Sequence, residues 1–417
     1  MEQKTSEVGI KRHYEELCDE IIHWGSGLPR LWLAVTEKST NKGAFFMKNT
    51  FLDYGYSKEE IENRVNDTFY AIFEGVNRFY FEGLKDTGYF MDTGNCDART
   101  EGMSYGMLMS VLMDKKEFFD RMWKFSMEFM YMKEGFFKGY FAWSVAPDGK
   151  KNAFGPAPDG EEFFAMALFL AGKKWGDGEG IYNYTYWAKK ILRTCLHHEL
   201  PMWEKSNGLI KFVPNCDFSD PSYHLMHFYE YFALWADESD RPFWKRAAEE
   251  SRKYLIKACH PKTGMNPEYG NFDGTPNPYG PPEGHGDFYS DAYRTGANIG
   301  LDVLWNNNGK ETGFSTIADN LINFFAEIDP KDYKKYKIDG TPVLQENGTE
   351  EKALHPIGLL ATLAQTTMAC SDATKQNAEK IVRRFWETPL RTGERRYYDN
   401  CLYMFAMLAL SGKYCVE

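Results

Sequence analysis

The chain has 417 residues and a net charge of −11, with its acidic residues spread along its length instead of gathered in a tail. That balance argues against a phosphate backbone as partner and excludes nucleic acid, while the length calls for two domains or one large repeat-built domain. Aromatic residues make up 16%, with 11 Trp and 26 Tyr, many of them in Gly/Pro-rich stretches where packing alone does not require them, so flat ligands such as sugar rings are candidates.

The first eighteen residues are charged throughout and contain no hydrophobic signal core, and no apolar run reaches the ~18 residues that span a membrane. A soluble, cytoplasmic protein is expected. The cysteines at 18, 96, 195, 216, 259, 370, 401 and 415 form no C-x-x-C pair and share no short ligand spacing, so reduced thiols are expected and no metal or cofactor is implied. The acidic, glycine-rich string 176–180 resembles a fragment of a calcium loop but lacks the ligand count of an EF-hand.

Along the chain, two kinds of helical segment alternate. Residues 57–74, 115–132, 184–197, 240–258, 314–328 and 373–387 are charged and amphipathic, with apolar residues at three- and four-residue spacing. Between them, 105–113, 162–171, 223–235, 292–305, 357–369 and 398–410 are apolar nearly all round and poor in β-branched residues, as helices enclosed by other helices should be. Six outer and six inner segments in alternation predict an all-α fold, an (α/α)6 barrel. The inner helices then start at one end, so the polar leads before them converge on one mouth. Glycine-, proline- and aromatic-rich stretches at 135–161 and 265–290 would wall it.

Those leads carry the candidate chemistry: Glu101, Asp159, Asp220, Tyr223, Asp291, Arg294, His355 and Tyr398. One acid at a helix start is usually a cap; Glu101, Asp159 and Asp291 around one mouth suggest a shared cleft. Glu101, beside Tyr105, suits a general acid whose pKa is raised by partial burial and a neighbouring carboxylate. Asp291, one turn before Arg294, is expected to keep its charge, and such an unequal pair fits hydrolysis of a glycosidic bond. Tyr223 either packs the core or positions the attacking water. Trp143 and Trp203 fall in loops and are read as sugar-stacking residues. His355, before Pro356, has no base-and-nucleophile partner nearby in sequence and is otherwise a structural histidine.

The runs Thr100-Glu101-Gly102-Met103-Ser104-Tyr105-Gly106-Met107, Gly155-Pro156-Ala157-Pro158-Asp159-Gly160-Glu161-Glu162, Phe218-Ser219-Asp220-Pro221-Ser222-Tyr223-His224 and Tyr289-Ser290-Asp291-Ala292-Tyr293-Arg294 together resemble glycoside hydrolase family 8. Within that family the resemblance is nearest to the reducing-end xylose-releasing exo-oligoxylanases. It covers nearly the whole of 43–417, read as one catalytic domain, and leaves 1–42 as an extension of unknown role.

The resemblance implies an inverting hydrolase with Glu101 as general acid and Asp291 as general base, their carboxyls about 6.5–9.5 Å apart. It implies that Asp159 holds and distorts the sugar before the cleaved bond and that Tyr223 orients the water. Arg294, Trp143 and Trp203 would contact substrate, and Leu354-His355-Pro356 would close the cleft beyond a single leaving xylose. The implied partner is a xylo-oligosaccharide, acted on by a monomer. Competing readings are an endo-acting xylanase or β-glucanase of the same family, a polysaccharide lyase using Tyr223, His355 and Arg294, and a non-catalytic sugar-binding protein.

Overall fold

The computed structural model describes residues 48–279, 284–306 and 313–416. Lys48–Glu417 gathers as one compact unit; the predicted extension over 1–42 and part of the predicted wall, 280–283, lie outside the described residues.

Helices alternate between wet and buried along this unit. In order they are α1 (Lys58–Phe73), α2 (Thr100–Leu112), α3 (Lys116–Phe125), α4 (Pro158–Trp175), α5 (Tyr184–His197) and α6 (Met226–Trp235), then α7 (Arg241–Ala258), α8 (Tyr293–Asn306), α9 (Phe314–Phe325), α10 (Pro356–Thr366), α11 (Lys375–Glu387) and α12 (Arg396–Leu410). The odd-numbered helices each bury one stripe. In α1 that stripe is Ile61, Val65, Thr68, Phe69, Ile72 and Phe73, and a Ser57/Glu60 capping box starts the helix by satisfying two of its free N–H groups. The even-numbered helices bury more of their surface: every residue of α12 from Tyr397 to Leu410 is buried, whereas the second half of α6 is partly uncovered, with Leu234 53% exposed.

Packing closes the inner helices into a ring in the order α2, α4, α6, α8, α10, α12 and back to α2. The fold is an (α/α)6 barrel. Arg64 on α1 seals the seam between α1 and the α11–α12 region, donating to the carbonyls of Trp386 and Thr388 at 3.0 and 3.2 Å and to the Tyr403 hydroxyl at 2.9 Å. On the far side, buried Arg252 of α7 joins two inner helices, bonding Asp302 of α8 at 2.7 and 2.8 Å and Glu230 of α6 at 2.7 Å. Removing one member of such a buried ion pair typically destabilises by about 3–5 kcal/mol.

Strands are short and confined to connections. β1 (Tyr80–Gly83) and β2 (Thr87–Phe90) form an antiparallel hairpin, and two-residue ladders brace the leads to inner helices. Ala98–Arg99 pairs with Ser144–Val145 just before α2, and Phe218–Ser219 pairs with Gly270–Asn271 just before the turn that carries Tyr223. Among the described residues no helix is long and apolar enough to cross a membrane, and Cys96, Cys195, Cys216, Cys259, Cys370 and Cys401 are free of disulfides.

Candidate active site

The start of α2 differs from the sequence expectation. The inner helix expected over 105–113 begins five residues earlier, at Thr100, so Glu101 sits in the first helical turn and not in a lead before it. Its two glycine-bearing neighbours reflect close approach between elements. A Cβ on Gly102 would lie 2.4 Å from the Tyr397 hydroxyl, and one on Gly160 of α4 would lie 2.4 Å from Cβ of Thr100. Glycine at these positions lets the starts of α2, α4 and α12 interlock.

Arg294, in the first turn of α8, is the hub of the mouth. Its Nη1 donates to Glu101 Oε2 at 3.1 Å, to Asp159 Oδ2 at 3.2 Å and to the Tyr105 hydroxyl at 2.8 Å. Its Nη2 lies 3.4 Å from Asp291 Oδ2 and 3.9 Å from Asp220 Oδ2. Four carboxyl groups from four leads thus surround one buried guanidinium, whose plane also lies 5.6 Å from the Tyr223 ring centroid. Glu101 and Asp291 touch different nitrogens of the same guanidinium. The two contacts, at 3.1 and 3.4 Å, join the acids through one cation.

One cation cannot neutralise four acids, and the electrostatics follow. Burial pushes the Glu101 carboxyl up to about 8, reinforced by Asp291 and Asp159 and opposed by Arg294 and a hydrogen bond from Tyr397. Asp159 is pushed up to about 6, again chiefly by burial, with Arg294 and the Gly160 N–H holding it back. Asp220, wholly buried, is raised well above the usual carboxylate range by the same desolvation. At neutral pH the mouth therefore holds Glu101 protonated and Asp159 largely ionised, two states set by environment.

Two adjacent tyrosines of α12 serve different acids. Successive helical residues project about 100° apart; Tyr397 donates to Glu101 Oε1 at 2.8 Å and Tyr398 to Asp291 Oδ1 at 3.0 Å. Asp220 was named among the polar leads without a role, and Tyr397 was not singled out. Asp220 could have been singled out, since it lies in a quoted motif; for Tyr397 the sequence carried only the Tyr-Tyr doublet. Tyr223 ends a short 3₁₀ turn capped by Asp220 and is buried, with Phe212 stacked at 6.0 Å. Behind it, the Tyr229 hydroxyl donates to the Tyr223 carbonyl and to buried Glu162.

The two tryptophans part company. Trp143 is 38% exposed beside the start of α2, where its carbonyl accepts the Thr100 N–H at 3.0 Å and the Arg99 guanidinium lies 5.3 Å from its ring. Trp203 is 0% exposed: it lies in a two-residue strand and packs edge-on against Trp244 and Tyr229. The expectation that Trp203 stacks on sugar is corrected to a core role, because a loop position does not imply an exposed side chain when a helix packs over it.

His355 precedes α10 and has a partner that sequence distance concealed: its Nδ1 lies 2.8 Å from Asp399 Oδ2, and its ring is 4.7 Å from that of Tyr398. The ring order fixes where these groups stand. α2 faces α8, which sets Glu101 across from Asp291 and Arg294; α4 faces α10, which sets Asp159 and the nearby Trp143 on the side away from His355. No His, Cys, Asp and Glu cluster suited to a metal ion occurs among the described residues.

The chain is similar over most of its length to known proteins. The family model described as glycosyl hydrolases family 8 matches residues 82–412. A reducing end xylose-releasing exo-oligoxylanase of Halalkalibacterium halodurans is 54% identical over 90% of this chain and 97% of its own. One from Bifidobacterium adolescentis is 51% identical over 89% and 97%. The solved structure of Rex8A from Paenibacillus barcinonensis complexed with xylose superposes with a TM-score of 0.85 at 51% identity, covering 90% of this chain and 99% of that one.

Proposed function

Because the chain belongs to glycosyl hydrolases family 8, we propose that it removes one xylose at a time from the reducing end of β-1,4-xylo-oligosaccharides with inversion at the anomeric carbon. The observation that carries this reading is the meeting of Glu101 and Asp291 across Arg294, where burial pushes the Glu101 carboxyl up to about 8.

Glu101 gives its proton to the glycosidic oxygen as the bond breaks. Asp291 takes a proton from a water that attacks the opposite face of the sugar, and Tyr223 orients that water. Asp159, steadied by Arg294, holds hydroxyls of the sugar on the non-reducing side and favours its distortion. Arg294 and Tyr105 keep the acids apart and correctly aimed. Tyr398 fixes the Asp291 carboxyl, and Trp143 stacks on a sugar farther along the chain. His355 and its loop stand beyond the leaving xylose and stop a longer leaving group from entering.

A lyase would need Arg294 to neutralise a substrate carboxylate, and here the buried guanidinium is already hydrogen-bonded to Glu101 and Asp159 and lies within 3.4 and 3.9 Å of Asp291 and Asp220. A mere sugar-binding protein would gain nothing from a buried carboxyl that keeps its proton at neutral pH. The reading includes monomeric action on soluble oligosaccharides in the cytoplasm, consistent with the acidic surface charge and with those six cysteines being free of disulfides.

The test is a time course on xylotriose labelled at its reducing end, with anomeric configuration followed by proton NMR on unlabelled substrate. Labelled xylose with an inverted anomer is expected. Retention would overturn the Glu101/Asp291 assignment, and internal cuts on long xylan would overturn the exo reading.

A further inference from the structure

Three consecutive points of the Leu354-His355-Pro356 loop are held by groups that no site assignment so far includes. The Leu354 carbonyl accepts from Arg391 Nη1 at 2.7 Å. The His355 ring is held by Asp399 Oδ2, which the same Arg391 Nη1 approaches to 2.6 Å. After Pro356, the N–H groups of Ile357 and Gly358 donate to Asp399 Oδ1 at 3.0 and 2.9 Å, so one carboxylate caps α10 and grips the histidine before it. Arg391 is itself fixed from behind: Asn400 accepts its N–H and donates to its carbonyl, both at 2.9 Å. Asp399 is fully buried and Asn400 nearly so, both in the first turn of α12 next to Tyr398.

A wall that limits the leaving group to one sugar has to stay closed against the favourable binding of a second. A three-residue loop without regular hydrogen bonding does not do that alone, and here the rigidity comes from a charged pair anchored on an inner helix. We propose that Arg391 and Asp399 are positioning residues that set the one-sugar stop by locking the His355 loop, so that product size is encoded at the start of α12 as well as in the loop. Neither touches the reacting atoms. The inference rests on the exo reading above.

The experiment uses the full chain and xylopentaose labelled at its reducing end, with labelled xylose and labelled xylobiose quantified separately for wild type and R391M. Wild type is expected to give labelled xylose alone at early times. In R391M the ratio of labelled xylobiose to labelled xylose should rise at least about tenfold, the effect of losing one charge-assisted hydrogen bond. A merely structural role would lower total turnover or melting temperature and leave that ratio unmoved. Should R391M fail to fold, D399N keeps an acceptor for the α10 amides while removing the charge shared by Arg391 and His355, and the same change in ratio is expected. A folded variant that still releases only labelled xylose overturns the clamp and leaves the exo reading intact. Internal cutting by wild type overturns both.

Discussion

Replacing Tyr397 with phenylalanine removes a single hydrogen bond from the carboxyl of Glu101 while keeping the ring and its edge-on packing with Phe79. A hydrogen bond to a charged group contributes about 1.5–3 kcal/mol and a neutral one about 1 kcal/mol, so ionised Glu101 loses roughly 0.5–2 kcal/mol more than protonated Glu101. At 1.36 kcal/mol per pKa unit, its pKa climbs by roughly 0.4–1.5 units. The sign is fixed because burial, the largest influence, already holds Glu101 up at about 8, and Tyr397 opposes it. A general acid works while protonated, so the basic limb of kcat/KM for xylotriose moves upward in the variant. The acidic limb and the rate well below the basic limb change little. Steady-state release of reducing sugar across a pH series measures this directly. A basic limb that stays in place or moves down refutes the assignment of that limb to Glu101.

The other perturbations address different links. Glu101→Gln is expected to abolish turnover and raise thermal stability at pH 8. A carboxyl raised from 4.5 to about 8 binds more protons folded than unfolded between those values, so its contribution is full below the lower value and is lost as pH rises through the upper one. Calorimetry should find the gain at pH 8 and none near pH 4; equal gains at both would contradict the burial argument. Trp143→Ala should raise KM roughly tenfold, worth about 1.4 kcal/mol, with melting temperature little changed. Trp203→Ala should instead destabilise by about 3–5 kcal/mol, and a KM effect in the conservative Trp203→Phe variant would show that its burial has been misjudged. Gly102→Ala forces a methyl to 2.4 Å from the Tyr397 hydroxyl, and kcat/KM is expected to fall by roughly 10–100-fold. Unchanged kinetics would show that Tyr397 can move without consequence.

The sequence was informative where physics is local. α5 has the predicted bounds because its apolar stripe and the Asn183 cap both lie within fourteen consecutive residues and their neighbour. The inner helices were recognisable from their uniform apolarity, and alternation with the outer ones implied the ring. Phase and approach were not legible. The start of α2 was placed at 105 because its apolar run begins there, whereas the helix takes in Gly102, a position that admits the hydroxyl of a tyrosine 295 positions later in the chain. Trp203 was misplaced because nothing near it in sequence announces the helix that brings Trp244 over it. The Asp399 carboxylate looked like one more polar residue of a lead, and only the fold reveals its grip on His355 across 44 positions.

The seam between α1 and α12 bears on how the protein is made. The hydrogen bond from Tyr397 to Glu101 spans 296 positions, and the one from Tyr398 to Asp291 spans 107. Both tyrosines belong to the last helix, which must also lie against α2 and α10 for the ring to close. A chain emerging from the ribosome can therefore build hairpin after hairpin yet possess no working mouth until its final helix docks. Contacts of such long sequence separation are slow to form, so premature termination anywhere before α12 yields an open arc of helices with apolar inner faces exposed, a species suited to chaperone capture and degradation and incapable of partial activity.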